Sequence, residues 1–472
     1  MIERLTSDSR RAAPGSAFFA WPGRDGDGRR HIGDAVARGC AAVVWEKEGG
    51  DFAWDPAWRV PQAAVRHLRH EAGFLAHAFH GRPSEAMWVC GVTGTNGKTS
   101  CSQWIAALLQ GEGVRAGVLG TLGNGFPGAL DSPTHTTPDV LDVHRLLAGL
   151  RASGAEAVAM EVSSHGLDQE RVNGVAFDCA LFTNLTQDHL DYHGSMAAYA
   201  EAKSRLFAMP GLQAAVLNLD DALGVQLAQR LAGTGVRTIG YSLSGAALGT
   251  AETLSGTLLA DGRLQIDSPH GRAEVRVAQV GRFNAANALG VLGCLLAKGL
   301  PFEPAARLLE RLPAVPGRMQ QVGDRPLVII DYAHTPDALD KVLHALRPVA
   351  QSRGGRLWVV FGAGGGRDAA KRPAMGRAAS RLADRVVLTS DNPRHEDPAA
   401  IIEAIRGGVE GDCRIEPDRA AAIAAAIAAA DEADVVLVAG KGHEATQEIA
   451  GERRPFSDAA VAAGAFAQRR PA

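Results

Sequence analysis

The sequence predicts an α/β protein of three domains. Short apolar runs alternate with helix-period segments along most of its 472 residues. Two turn-rich stretches, Gly81–Ser84 and Leu312–Gly317, interrupt that alternation. At roughly 100–200 residues per domain the length admits two to four. The two interruptions place domains at residues 1–85, 86–314 and 315–472.

In the first domain, strands at Ser16–Trp21 and Ala41–Trp45 flank a helix near Ile32–Arg38, and Ala64–Phe79 reads as a second helix. The central domain opens with a strand at Met87–Val92, followed by a helix at Ser100–Gln110. Further strands are expected at Ala157–Val162, Ala180–Thr183 and Ala214–Asn218. Residues 239–277 hold shorter, more polar strands that read as an antiparallel extension, and the helix Asn284–Lys298 closes the domain. In the third domain, strands at Leu327–Asp331, Leu357–Phe361, Arg385–Thr389 and Val435–Ala439 alternate with helices, and Ala420–Ala430 reads as a buried helix. This pattern is doubly wound and Rossmann-like, so ligands belong at the carboxyl ends of the strands.

Composition narrows the function. A formal net charge of −3 leaves no basic excess for nucleic acid as the main partner. Six scattered cysteines, none in a CxxC pair, argue against a disulfide framework or a zinc site and fit a reducing compartment. The first residues, Met1–Arg11, lack the apolar core of a signal peptide, and no run of about 18 residues is apolar enough to span a membrane. A cytoplasmic protein is expected. Lysine is scarce, with seven in the chain: Lys47, Lys98, Lys203, Lys298, Lys341, Lys371 and Lys441. Where lysine persists in such a background, its amine chemistry is a candidate reason, although chance suffices for Lys47 and Lys298.

The clearest chemical motif is Gly91–Thr99, of the form GxxGxxGKT, between an expected strand and an expected helix. Glycines let backbone N–H groups turn toward phosphate, and the helix N-terminus adds partial positive charge. Lys98 can pair with terminal phosphates and Thr99 can ligate magnesium. Val92 stands where a strict phosphate loop has its first glycine. The plain alternative is a glycine-rich turn; strand, loop, Lys-Thr and helix in this order favour a nucleotide triphosphate. The central sheet is therefore expected to be parallel and P-loop ATPase-like.

Glu161 ends a strand near this loop in the order of elements, a natural place for a magnesium ligand. The turn Thr183–His193 crowds Asp188, His189, Asp191 and His193, where the bland reading is a polar loop with a capping aspartate. Lys203 lies on a helical pattern, Tyr199–Phe207, where a solvated face is the bland reading.

Taken together, GVTGTNGKT, THTTPD, EVSSHGLDQERV, FTNLTQDHLDYHG and YAEAKSRLF resemble the Mur ligase family. Later matches are GRFNAAN, PGRM, DYAHTPDAL, FGAGGGRD, KRPAMG, TSDNPR and AGKGHE, so the resemblance runs from about Thr6 to Gln447. Within the family, TSDSR near the start is similar to the members that add the third peptide residue. The resemblance implies three domains: one binding UDP, a central ATPase domain and a Rossmann-like domain receiving the amino acid. It implies activation of a carboxylate by ATP as an acyl phosphate, followed by attack of an amine. A carboxylate is a poor electrophile, so charge neutralisation and alignment matter more than a covalent nucleophile.

The same resemblance implies site residues. Gly91, Thr93, Gly94, Thr95, Asn96, Gly97, Lys98, Thr99 and Ser100 would surround ATP, with Asn284 and Asn287 on the adenine side and Arg318 and Asp331 near phosphates and ribose. Lys98, Glu161, His189 and Lys203 would be catalytic. Mg2+ would be held by Thr99, Glu161, His189 and a CO2-derived carbamate on Lys203. The UDP-muramoyl dipeptide would meet Ser7, Ser9, Thr136, Thr137, Ser163, Gln169 and Arg171, with the 24–26 loop near uridine. Arg367, Asp391, Asn392, Pro393, Arg394, Gly440 and Glu444 would receive the amino acid. The DNPR run implies meso-diaminopimelate, with Arg394 on its distal carboxylate and Asp391 or Glu444 on its ammonium. Gly366 and His135 depart from common family residues, with local effect only. The expectation is a monomeric ligase using ATP, the UDP-muramoyl dipeptide and meso-diaminopimelate, without nucleic acid. The alternatives are an L-lysine-adding or folylpolyglutamate synthase-like ligase, or a non-catalytic nucleotide-binding protein.

Overall fold

A computed structural model describes all residues except 24–25, 132–134, 250–251, 260–261, 279, 367 and 470–472. Arg367 and most of the 24–26 loop therefore lie outside the described residues. The chain divides into two compact units. One comprises Met1–Thr93, Leu109–Leu181 and Ala202–Ala215; the other comprises Gly94–Leu108, Phe182–Glu201 and Val216–Ala472.

The first unit begins with a parallel four-stranded sheet of β1 (Arg4–Thr6), β2 (Ser16–Ala20), β3 (Ala42–Glu46) and β4 (Gln62–Val65), in that order. Side chains of β2 alternate faces. Phe18 and Ala20 join Ile32 and Ala35 of the helix Ile32–Ala37, while Ala17 and Phe19 meet Leu68, Ala72 and Ala76 of the helix Leu68–Phe79. The expected helix Ala64–Phe79 is thus corrected at its start. Gln62–Val65 is a strand paired with β3, and His67, at φ 53°, breaks the chain before the helix. The expected linker at Gly81–Ser84 leads into a short 3-10 helix, Pro83–Ala86.

The same unit carries β5 (Trp88–Thr93), β6 (Ala116–Gly120), β7 (Gly123–Phe126), β8 (Ala129–Asp131), β9 (Ala157–Glu161) and most of β10 (Cys179–Phe182). Their order is β10-β5-β9-β6-β7-β8. The pairs of β9 with β5 and with β6 are parallel, and a β7–β8 hairpin ends the row. Strands β5, β6 and β9 are almost wholly buried, which suits a sheet covered on both faces.

The second unit contains most of β11 (Ala214–Asn218), then β12 (Arg237–Ser242), β13 (Glu252–Leu258), β14 (Arg263–Ser268) and β15 (Gly271–Arg276). The expectation of an antiparallel extension holds for β13–β14 and β14–β15, but β12 and β13 run parallel. The helix Arg282–Ala297 is apolar on nearly every side and buried along most of its length.

A further sheet in this unit orders β16 (Gln320–Asp324), β17 (Leu327–Asp331), β18 (Leu357–Phe361), β19 (Arg385–Leu388), β20 (Arg414–Ile415) and β21 (Val435–Ala439) as β16-β17-β21-β18-β19-β20. All neighbours are parallel except β16. One face packs on the helices Pro336–Ser352, Lys371–Leu382 and Pro398–Arg406; the other packs on Arg419–Ala429 and Asp458–Gln468. This is the doubly wound arrangement expected from the strand pattern. Its carboxyl ends deliver the turns after Asp331, Phe361, Leu388 and Ala439 to one edge. A hairpin of β22 (Thr446–Ile449) and β23 (Glu452–Pro455), not anticipated from sequence, follows β21. Among the described residues, no helix is long and apolar enough to cross a membrane.

Candidate functional site

In the second unit, residues Gly94–Thr99 form a loop leading into the helix Lys98–Gly111. The turn after β10 staples this loop. Thr95 N donates to Asn184 O (2.7 Å) and Asn96 N to Asn184 Oδ1 (3.0 Å), while Thr183 Oγ1 and Asn184 Nδ2 both donate to Asn96 O (2.6 and 3.0 Å). Thr95 Oγ1 lies 3.1 Å from the buried Tyr199 hydroxyl. Gly97 sits at φ 91°, and a Cβ there would meet Asn287 Oδ1 at 2.7 Å, so a side chain would displace an asparagine expected beside adenine. Lys98 Nζ donates to Gly94 O and Thr95 O, both at 2.9 Å, and so lies back over its own loop. Ser100 is buried in the first helical turn, and Asn284 Nδ2 donates to Val280 O at 2.8 Å.

Arg318 reaches this loop directly, with Nη2 3.3 Å from Thr99 Oγ1 and its guanidinium 4.2 Å above the Tyr332 ring. Asp331 fixes the turn that carries it: Oδ2 accepts from Met319 N (2.7 Å) and Oδ1 from Ala333 N (2.8 Å). Burial pushes the Asp331 carboxyl up, against the pull of Arg318. His189, at φ 55°, places its Nε2 3.4 Å from Asp188 Oδ2. Burial would raise the Asp188 carboxyl, but His189, His334 and Lys371 outweigh it and hold the group below its ordinary value.

The first unit gathers a different set. Glu161, fully buried at the end of β9, accepts from Thr121 N (2.7 Å) and Thr121 Oγ1 (3.0 Å), which leaves Thr121 Oγ1 to accept from the Thr136 hydroxyl 3.1 Å away. Thr137 Oγ1 donates to Glu161 O and lies 3.0 Å from Ser163 Oγ, which caps the helix Ser164–Asp168. Arg171 donates to Thr137 O (2.8 Å) and grips Gln169 Oε1 from two nitrogens. Ser7 hydrogen-bonds the half-buried Asp139 carboxyl, which desolvation pushes up. Ser9 opens a 3-10 turn capped by Asp8. Lys203, on the helix Met196–Ser204, is 1% exposed, which excludes the solvated face. Gly91 and Thr93 lie buried on β5.

At the carboxyl edge of the doubly wound sheet, Asp391, Asn392, Pro393 and Arg394 follow β19, and Gly440 and Glu444 follow β21. Asn392 Nδ2 donates to Glu444 Oε2 at 2.8 Å. Gly440 sits at φ 117°, where a Cβ would stand 2.4 Å from Asp391 Oδ2. Arg394, at φ 55°, donates through its side chain to Gly365 O and through its backbone to Glu448 O. Residues not singled out as site candidates from sequence also enter these clusters: Thr121, Asp139, Asn184, Tyr199 and Lys441. Asp139, Asn184, Tyr199 and Lys441 lie inside the motifs THTTPD, FTNLTQDHLDYHG, YAEAKSRLF and AGKGHE, and the scarcity of lysine also marked Lys441, whereas Thr121 carried no signal. In the first unit, the Glu161 carboxylate held by two Thr121 donors offers the hard oxygen ligands that a divalent cation takes.

Three family models match in succession: Mur ligase family, catalytic domain, over residues 1–80; Mur ligase middle domain over 92–295; and Mur ligase, glutamate ligase domain, over 317–442. A Chromobacterium violaceum protein named UDP-N-acetylmuramoyl-L-alanyl-D-glutamate--2,6-diaminopimelate ligase is 51% identical over 467 residues, covering 98% of this chain and 93% of its own. The Pseudomonas aeruginosa protein of the same name is 51% identical over 471 residues, covering 99% and 95%. A solved structure of a ligase so named is 35% identical with a TM-score of 0.68, covering 100% of this chain and 96% of that one. A crystal structure of MurF from Acinetobacter baumannii, 22% identical with a TM-score of 0.65 and covering 93% and 90%, shares the fold. On full-length identity and three successive domain matches, this chain belongs to the Mur ligase family of ATP-dependent ligases.

Proposed function

We propose that this enzyme joins meso-diaminopimelate to the D-glutamate carboxylate of UDP-N-acetylmuramoyl-L-alanyl-D-glutamate, in peptidoglycan synthesis. The observation that carries the reading is full-length identity of 51% to relatives named for that reaction. The chemistry of the Asp391–Arg394 turn supports it. Diaminopimelate ends in a carboxylate and an ammonium, which Arg394 can bind by paired hydrogen bonds and Glu444 or Asp391 by charge. L-lysine lacks the distal carboxylate and would leave Arg394 without its partner.

In this reading a glutamate carboxylate oxygen attacks the γ-phosphorus of ATP and ADP leaves. The amine nitrogen then attacks the acyl carbon, phosphate departs, and an amine proton passes to solvent or a nearby base. The Gly94–Thr99 amides and Lys98 hold the phosphates, Arg318 adds positive charge beside Thr99, and Asn284 and Asn287 flank adenine. Thr136, Thr137, Ser163, Gln169 and Arg171 orient the muramoyl peptide, with Ser7 and Ser9 nearer uridine. Mg2+, used by the family, would be held through Thr99, Glu161 and His189 and would neutralise charge on the transferring phosphoryl group. Lys203, buried on its helix, would carry the CO2-derived carbamate that the family resemblance implies. We read the three sequence domains as the UDP, ATP and amino-acid modules. None of the six cysteines forms a disulfide, which supports a reducing, cytoplasmic setting, and we take the enzyme to act as a monomer.

The test is an amino-acid panel with purified chain, ATP, Mg2+, bicarbonate and the UDP-dipeptide, following phosphate release and product mass. Product with meso-diaminopimelate in strong preference to L-lysine is expected. Product only with L-lysine, or phosphate release only with a folate acceptor, would overturn the proposal.

A further inference from the structure

We propose that Lys441 is a positioning residue that sets amino-acid selectivity. Its buried ammonium locks Glu444 and Asn392 in one arrangement, which fixes the spacing between the ammonium-binding and carboxylate-binding groups of the amino-acid site. The identity of that amino acid rests on the diaminopimelate reading above.

The lock is a closed triangle of charge and hydrogen bonds. Lys441 is fully buried, and its Nζ donates to Glu444 Oε2 (2.8 Å) and Asn392 Oδ1 (2.9 Å). Asn392 Nδ2 closes the triangle on Glu444 Oε2 (2.8 Å), and Glu448 N adds a second donor to Asn392 Oδ1 (3.0 Å). This pattern dictates the amide orientation. Flipping Asn392 would turn its NH2 toward an ammonium and a backbone N–H, donor against donor.

The triangle also constrains Glu444. Among the described residues both of its side-chain bonds fall on Oε2, while the side chain keeps 31% of its surface exposed. One oxygen is committed to the interior and the other can meet a ligand. Glu444 cannot swing away without stranding a buried cation, a costly change. Arg394 is tied into the same frame, because its backbone N donates to Glu448 O at 3.0 Å and Glu448 N donates to Asn392. The backbone that carries the Arg394 guanidinium and the open carboxylate oxygen are thereby held at a set separation, and the guanidinium is itself anchored on Gly365 O. A ligand end bearing both a carboxylate and an ammonium satisfies both, and a ligand bearing one of them does not.

The experiment is steady-state kinetics of full-length Lys441→Met and Lys441→Gln, with ATP, Mg2+ and the UDP-dipeptide, against meso-diaminopimelate and L-lysine. The Gln variant keeps polar donors in the buried site, in case Met does not fold. The expected result is a diaminopimelate KM raised at least about tenfold and a diaminopimelate-to-lysine preference reduced by about as much, with kcat and the KM for ATP within about threefold of wild type. An unchanged preference in a folded variant overturns the proposal. So does a joint fall of kcat and both affinities, or melting of both variants below the assay temperature, because Lys441 would then act on stability alone. A wild-type enzyme that uses a different amino acid sinks the diaminopimelate reading instead, and the Lys441 proposal is then judged on the KM and kcat for that amino acid.

Discussion

Arg419 grips Asp458 at two points, Nε to Oδ1 and Nη2 to Oδ2, each at 2.7 Å, and both side chains are fully buried. The remaining guanidinium contacts reach Ser390 O (3.3 Å) and Ala439 O (2.9 Å), the residues immediately before Asp391 and Gly440. The pair therefore braces two strand ends that carry the amino-acid turns. Asp458→Ala leaves a buried guanidinium without its counter-charge, at a cost of about 3–5 kcal/mol. Denaturant unfolding should show that loss. The double variant Arg419→Met with Asp458→Leu should recover most of it, since no charge is left stranded. Additive losses would mean that the two residues act independently.

Thr121 and Glu161 give a second prediction. Thr121→Val removes the hydroxyl donor to Glu161 Oε2 but keeps the backbone donor to Oε1. If Glu161 ligates Mg2+, loosening its support should weaken metal use by about 10–100-fold. Activity titrated with Mg2+ should show the half-saturation point moving up, with the diaminopimelate KM little changed. An unaltered Mg2+ curve would mean that Glu161 does not serve the metal.

His144 predicts the acid limb of stability. It is fully buried in the helix Val140–Ala152, its Nε2 lies 2.8 Å from Asn173 O, and among the described residues its Nδ1 has no hydrogen-bond partner. Nε2 therefore carries the proton, and charging the ring would put a second proton on a buried, unpaired nitrogen. Burial brings its pKa down from 6.5 to about 4. Above pH 6.5 the ring is neutral folded and unfolded, so its full contribution is present. As pH falls toward 4 the unfolded chain takes up the proton and the folded one does not, which costs up to about 3 kcal/mol. Unfolding free energies of wild type should fall across that window, and His144→Gln should flatten the slope.

Local signals made much of this molecule legible, and pairing across distance marks where legibility ended. Strands β17, β18 and β21 match their expected bounds because each is a continuous apolar run covered on both faces. Ala64 and Val65 read as the start of a helix because they run without strong alternation into a genuine one; what makes Gln62–Val65 a strand is its partner Ala42–Glu46. The site behaves alike. Gly94–Thr99 and Asp391–Arg394 are contiguous turns whose chemistry can be read directly. Thr121 holds Glu161 from 40 residues away, and Lys441 holds Asn392 from 49 residues away. Nothing beside Thr121 in sequence hints at a carboxylate, and the scarcity of lysine flagged Lys441 without saying what it grips.

Lys203 and Glu161 belong to one compact unit and are both essentially excluded from solvent. Carbamate formation takes place on the neutral amine, whose nitrogen adds CO2 and loses a proton. The carbamate would replace a cation with an anion able to support Mg2+. Wild-type activity should therefore fall when buffers are stripped of CO2 and bicarbonate and return when bicarbonate is restored. Lys203→Ala should lower the rate of amide formation at least about a hundredfold, in the range found when a group stabilising transition-state charge is removed. Lys203→Arg keeps a cation but cannot form the carbamate, so it should be equally impaired and indifferent to bicarbonate. Full activity of Lys203→Arg in CO2-free buffer would leave the lysine as a plain cation and remove the carbamate from the account.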